Sequence, residues 1–203
     1  MLAMSFSFTS KLLLFILNSN TCVMASKFLY FAYGSNLLAQ RLHINNPSAV
    51  RVAAAKLENY RLDFGTVPSR SWGGTPATIV PDDSEHCWGA VWEIDLADLP
   101  SLDRQEGVGE GLYFPRNVTV TSLDGERYLC RTYQLTETPP ALGRNQTRPL
   151  ESRPSYIYWQ VIIQGARESG LPQEYIQKLN NIQHNGYNGT VAIPVQISES
   201  SEK

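Results

Sequence analysis

Phe28-Leu29-Tyr30-Phe31-Ala32-Tyr33 runs directly into Gly34-Ser35-Asn36. An unbroken apolar and aromatic run offers no face to water, which is the pattern of a strand flanked on both sides inside a sheet. Gly34 ends that run. Ser35 and Asn36 are both N-cap residue types, and 37–43, with Leu37, Leu38, Arg41 and Leu42 in register, reads as a short amphipathic helix before Pro47. A buried strand turning straight into a helix start leaves backbone N–H groups without intrahelical acceptors, and a glycine there lets a ligand approach the main chain. Such a turn is a seat for a carboxylate or carbonyl oxygen. It is also an ordinary strand-to-helix junction, with Gly for the backbone and Ser or Asn as cap, and residue types alone favour that plainer reading.

Outward from this motif the chain is mostly strand. Segments 50–52 and 56–64 alternate, with Leu57, Tyr60, Leu62 and Phe64 apolar, before Trp72-Gly73-Gly74-Thr75-Pro76 breaks the pattern. Residues 77–80 and 86–94 read as a hairpin joined by the acidic turn Pro81-Asp82-Asp83-Ser84-Glu85. Asp95 can cap a helix reaching Gln105, ended by Gly107. A second hairpin, 113–121 with 128–133, turns at Leu123-Asp124-Gly125-Glu126, where Asp-Gly tolerates positive φ. The Pro-, Thr- and Arg-rich stretch 136–154 reads as a connecting loop. Two helices follow: 156–169, stopped by Gly170-Leu171-Pro172, and one from Pro172 to about 182. The expectation is one α+β domain over 26–196, its sheet curled or closed and its helices at the edges, with a polar tail at 197–203.

Composition narrows the functional classes. The chain has 203 residues, 42% of them hydrophobic, and 17 Lys+Arg against 19 Asp+Glu, a net charge of −2. No basic surface is advertised, so nucleic acid is not an expected partner. Cys22, Cys87 and Cys130 show no C-x-x-C spacing, which argues against a disulfide framework or zinc ribbon and for a reducing compartment. The apolar run 12–17 after Lys11 is far shorter than the ~18 residues of a membrane span, so no membrane association is expected. Residues 1–25 read either as a secretory signal ending at Val23-Met24-Ala25 or as an extension ahead of a second start at Met24, and are left out of the fold on both readings. The expected location is cytoplasmic, or secreted if 1–25 act as a signal. The N-x-T triplets at Asn117, Asn145 and Asn188 are about what chance supplies and do not decide between these.

Familiar catalytic patterns are missing. There is no G-x-S-x-G elbow and no phosphate-binding glycine loop, and His43, His86 and His184 stand in unrelated contexts. Asp82, Asp83, Glu85, His86 and Cys87 match no metal-ligand spacing, so neither metal nor cofactor is expected. What remains, besides Gly34-Ser35-Asn36, is Leu102-Asp103-Arg104-Gln105-Glu106-Gly107-Val108 with Tyr113. Glu106 falls at a helix C-terminus, where a carboxylate gains nothing from the helix dipole. Shielded by Val108 and Tyr113 it is a candidate general acid/base with a raised pKa. The alternative is a solvated charged face made by Asp103, Arg104 and Glu106, which the sequence alone favours.

The stretch 28–38 resembles the opening motif of the γ-glutamylcyclotransferase family. The similarity continues through Asn46-Pro47-Ser48-Ala49, Leu62-Asp63-Phe64-Gly65, Trp88-Gly89-Ala90-Val91-Trp92, Ser101-Leu102-Asp103, Gln105-Glu106-Gly107-Val108 and Gly170-Leu171-Pro172. The resemblance spans about 28–189 and implies a small mixed β-barrel flanked by helices. It implies that Glu106 is the catalytic carboxyl, that Tyr30, Phe31, Ala32, Tyr33, Gly34 and Ser35 form the loop holding a γ-glutamyl group, and that Tyr113 and Tyr158 line the site. The implied reaction is cofactor-free conversion of an L-γ-glutamyl-amino acid to 5-oxoproline and the free amino acid, and the implied assembly is a homodimer. The alternatives are a relative acting on glutathione or a γ-glutamylamine, and a non-catalytic γ-glutamyl-binding module. The chain departs from the family pattern in its N-terminal extension, in the loop before Tyr156, and at Trp72-Gly73-Gly74, where relatives carry an intervening histidine.

Overall fold

The computed structural model describes residues 26–142 and 146–197, so the expected N-terminal extension and all but Ile197 of the expected tail lie outside the described residues. The strands are β1 (Lys27–Ala32), β2 (Val50–Phe64), β3 (Ala77–Asp95), β4 (Tyr113–Ser122) and β5 (Arg127–Leu135). They close into a barrel in the order β1-β3-β2-β4-β5. Every neighbouring pair is antiparallel except β1 with β5, which run parallel and meet at Tyr30 and Arg131. The apolar run at the start therefore has partners on both sides, as its lack of alternation predicts. Its buried residues join Ile79, Val91, Trp92, Ile94, Val120 and Tyr133 in the core.

The expected hairpin between 77–80 and 86–94 does not exist. Both segments belong to β3 and both pair with β2, with Leu57 opposite Cys87 and Leu62 opposite Ile79. The acidic stretch is instead an excursion: the ladder passes from Glu58–His86 to Tyr60–Pro81, so Asp82 to Glu85 face Asn59 alone. Asn59 takes up the mismatch at φ 63°, a left-handed conformation that Asn tolerates better than most residues. Turn-forming residues thus produced a bulge in a long strand, because β2 offers continuous pairing on either side of it.

Helices flank the barrel. After β1 comes a 3₁₀ turn (Ser35–Leu37), then α1 (Ala39–His43), where the sequence suggests one helix over 37–43. A further 3₁₀ turn (Leu96–Asp98) leads into α2 (Leu99–Gln105), in which Pro100 occupies the first turn. Near the C-terminus lie α3 (Tyr156–Glu168) and α4 (Gln173–Asn180). The Ser155 hydroxyl caps α3 by accepting the Tyr158 N–H at 3.1 Å. The connecting stretch 136–154 is tied to β2 by a fork between Arg148 and Asp63, at 2.9 and 2.7 Å, with Arg61 adding a third contact to Asp63 at 3.0 Å. No helix among the described residues is long and apolar enough to cross a membrane.

One close approach sets the position of α3. A Cβ added at Gly165 would lie 2.4 Å from the Leu38 nitrogen and 2.6 Å from the Leu37 carbonyl carbon. The absent side chain lets α3 rest directly on the turn after β1, and the Ser169 hydroxyl donates to the Leu37 carbonyl at 3.1 Å beside it. In an open helix Gly→Ala is stabilising by up to ~1 kcal/mol, whereas overpacking costs ~1–3 kcal/mol. Gly165→Ala is therefore expected to lower the melting temperature by roughly 2–12 °C, given ~2–4 °C per kcal/mol at this size. Thermal melts read the sign: a rise would contradict the contact.

Candidate functional site

A pocket where β1 ends and β3 and β4 begin is lined by Tyr30, Tyr33, Gly34, Ser35, Asn36, Ala77, Glu106, Tyr113, Tyr133 and Tyr158. It draws on β1 and the turn after it, the first residue of β3, the end of α2, strands β4 and β5, and the first turn of α3. Of the residues that the sequence singles out, Tyr30, Tyr33, Gly34, Ser35, Glu106, Tyr113 and Tyr158 meet here. Phe31 and Ala32 do not line it: both are buried in the barrel core.

The first intrahelical bonds after β1 run from Leu37 N–H to the Gly34 carbonyl and from Leu38 N–H to the Ser35 carbonyl. The N–H groups ahead of Leu37 thus fall outside the turn's own hydrogen bonds. Gly34 is the cap of this turn, and neither Ser35 nor Asn36 makes the side-chain cap that their types suggest. What Gly34 supplies is space. A Cβ there would stand 3.2 Å from both the Tyr158 hydroxyl and the Ala77 Cβ. Tyr158 and Tyr113 grip Ala77 from two directions: the Ala77 N–H donates to Tyr158 Oη at 3.1 Å, and Tyr113 Oη donates to the Ala77 carbonyl at 2.6 Å. Trp72 packs its ring 4.8 Å from that of Tyr158. Tyr33 donates to the Tyr133 carbonyl, and the Tyr133 hydroxyl reaches Asp103, which Arg131 also holds.

Glu106 caps the C-terminal end of α2, its N–H reaching back to Leu102, and Gly107 follows at φ 64°. Its carboxyl is turned inward and partly buried, so the solvated charged face suggested by sequence is not what forms. Burial raises its pKa above the ordinary carboxylate value; the Arg41 charge and hydrogen bonds from Gln105 and Asn36 offset part of that rise, and Asp103 adds to it. Burial also pushes Tyr30, Tyr33, Tyr113 and Tyr158 upward, leaving them neutral O–H groups at any ordinary pH. With no His, Cys or Lys in the lining, Glu106 is its one titratable side chain besides the tyrosines.

Sequence reasoning missed the side chains that hold this carboxyl. Asn36 Nδ2 donates to Glu106 Oε1 at 2.8 Å and to Tyr30 Oη at 2.9 Å. Gln105 Nε2 donates to Asn36 Oδ1 at 3.0 Å, and Arg41 Nη1 donates to Gln105 Oε1 at 3.1 Å. Asn36 was disguised as a cap. Arg41 did carry a signal: an arginine among leucines on the apolar face of a short helix must find a partner when that face is covered. The result is a small chamber with one buried carboxyl, several fixed hydroxyls and a backbone turn beside it, suited to proton transfer on a ligand held against the main chain.

The chain is similar to known proteins over most of its length. The AIG2-like family model matches residues 86–179. The chain is 44% identical over 174 residues to γ-glutamylcyclotransferase of Bos taurus, covering 83% of this chain and 86% of that protein. It is 41% identical over 172 residues to the Homo sapiens enzyme of the same name, with the same coverage of both. A solved γ-glutamyl cyclotransferase structure superposes with a TM-score of 0.74 at 40% identity, over 82% of this chain and 94% of that one. The chain therefore belongs to the γ-glutamylcyclotransferase family of enzymes.

Proposed function

We propose that the protein converts L-γ-glutamyl-amino acids to 5-oxoproline and the free amino acid, with Glu106 as the proton carrier. The observation that carries this reading is the Glu106 carboxyl, drawn toward neutrality by burial and facing a pocket that also exposes the turn at Gly34-Ser35. In this reaction nucleophile and electrophile share one molecule. The substrate's α-amine attacks its own γ-carbonyl carbon, a C–N bond forms, and the tetrahedral centre collapses by breaking the bond to the departing nitrogen. Holding the folded conformer supplies part of the ~7–11 kcal/mol that proximity offers, so no enzymic nucleophile is required.

The proton balance fits a single carboxyl. The α-nitrogen enters as an ammonium and ends as a lactam N–H, shedding two protons, and the departing nitrogen gains two in becoming an ammonium. Glu106 takes them from one nitrogen and returns them to the other, acting as base and then as acid. N–H groups at the Gly34-Ser35 turn bind the substrate carboxylate or the developing oxyanion, where one well-aimed donor is worth ~2.7–4 kcal/mol. The neutral hydroxyls of Tyr30, Tyr113 and Tyr158 orient the γ-glutamyl group. The buried free thiols of Cys87 and Cys130 fit a cytoplasmic setting, and the resemblance supports a homodimer, which sedimentation would read.

Glu106→Gln keeps the amide contacts but cannot carry a proton. It is expected to lower 5-oxoproline formation from γ-glutamyl-alanine by about 10²–10⁴-fold while calorimetry still detects substrate binding; a fully active variant would end this reading. The raised pKa also fixes a pH signature. The acid limb of kcat/KM should lie above the ~4.3 of a free glutamate. Because the folded-state pKa exceeds the unfolded one, the stability contributed by Glu106 is present below the unfolded value and lost as pH rises through the folded value. Melting temperatures of wild type and Glu106→Gln should therefore diverge in favour of Gln across that window. Turnover of γ-glutamyl-alanine, glutathione and γ-glutamyl-ε-lysine, measured side by side, identifies the leaving group; the dipeptide is expected to be fastest.

A further inference from the structure

The amide groups around Glu106 form a directed chain. Arg41, a buried arginine, can only donate. Its Nη1 stands 3.1 Å from Gln105 Oε1, which also receives Asn45 Nδ2 at 3.2 Å and Asn46 Nδ2 at 3.4 Å. With its oxygen so occupied, Gln105 must turn its NH₂ the other way, where it meets Asn36 Oδ1 at 3.0 Å and Glu106 Oε1 at 3.3 Å. Asn36 is then fixed in turn, its NH₂ spanning Glu106 Oε1 at 2.8 Å and Tyr30 Oη at 2.9 Å. Flipping either amide would set donor against donor at one end and oxygen against oxygen at the other.

We infer that Arg41 is a positioning residue that acts through Gln105 and Asn36 to confine the shuttled proton to Oε2 of Glu106. This deepens the proposed role of Glu106 and rests on it. Oε1 accepts two N–H donors, while Oε2 has no hydrogen-bond partner among the described residues. While Glu106 is ionised, its own acceptor character holds Asn36 in place. Once it takes a proton that constraint vanishes, and an unanchored amide pair is free to turn and receive the proton on Oε1, away from substrate. The Arg41 guanidinium, charged throughout, removes that option. The same chain makes Tyr30 Oη an acceptor toward Asn36, so its O–H proton is left for another partner in the pocket that it lines.

The test is a mutant cycle on the full chain, assayed with γ-glutamyl-alanine. Arg41→Met and Gln105→Met are each expected to lower kcat roughly tenfold, the scale of a hydrogen bond to a charged group, with KM little changed and the acid limb of kcat/KM displaced upward. Arg41→Lys, a donor-only cation, should recover most of the loss. Because both residues act through one chain, the double variant should be no worse than the poorer single one. Wild-type kcat with an unmoved limb in folded Gln105→Met, or losses that multiply in the double variant, would overturn the relay. If Arg41→Met does not fold, Arg41→Gln, which lacks the fixed charge, takes its place in the same cycle. Failure of the underlying reading is separate: it shows as turnover by Glu106→Gln, whatever the cycle gives.

Discussion

Taking a carboxyl out of water penalises its charge, and the chemistry proposed for this protein depends on how that penalty is managed at Glu106. Buried without partners, the group would stay protonated and could not act as a base; well solvated, it would be too weak a base to take a proton from an ammonium and hold it for the departing nitrogen. The fold places it between these limits. The end of α2 brings it to the barrel mouth, desolvation raises its pKa, and Arg41, Gln105 and Asn36 pull it part of the way back. The tyrosines around it contribute hydroxyls but no charge, so the balance is not disturbed by a second ionisation.

The same economy governs the rest of the pocket wall. The turn after β1 gives up side-chain bulk at Gly34 so that Tyr158 and Ala77 can close on it, and α3 gives up bulk at Gly165 so that Tyr158 is delivered at the right depth. Neither position serves a turn that only glycine can make. Both serve contact distance, and through it the shape of the chamber.

Much of this was legible in the amino-acid order. The two-sided apolar character of 28–33 placed β1 inside a sheet, Asp124-Gly125 marked the β4–β5 hairpin, and Gly170-Leu171-Pro172 marked the break before α4. The pairing of β3 was not legible. Its acidic, turn-rich middle is locally indistinguishable from a hairpin tip, and only β2, a non-local partner, decides otherwise. At the site, Gly34 and Glu106 stood out by residue type, yet their proximity is a product of barrel closure that no spacing encodes. Asn36 and Arg41 were visible but misassigned, because local capping and helix periodicity explain them until the tertiary contacts are known.

The barrel's closure has a temporal side. β1 carries the pocket's opening residues, but its ladder partners lie at Ala90 to Asp95 and at Arg131. A chain emerging from the ribosome exposes this apolar strand before the other strands and can satisfy its backbone only much later, when β3 and then β5 have been made. Seams built from such distant segments are slow to form, since the entropy of closing the intervening loop must be lost before any contact rewards it. The part of the pocket wall that β1 carries is thus made well before its partners and is among the last to be assembled, leaving a sticky, half-paired edge that a nascent chain must keep from its neighbours in the meantime.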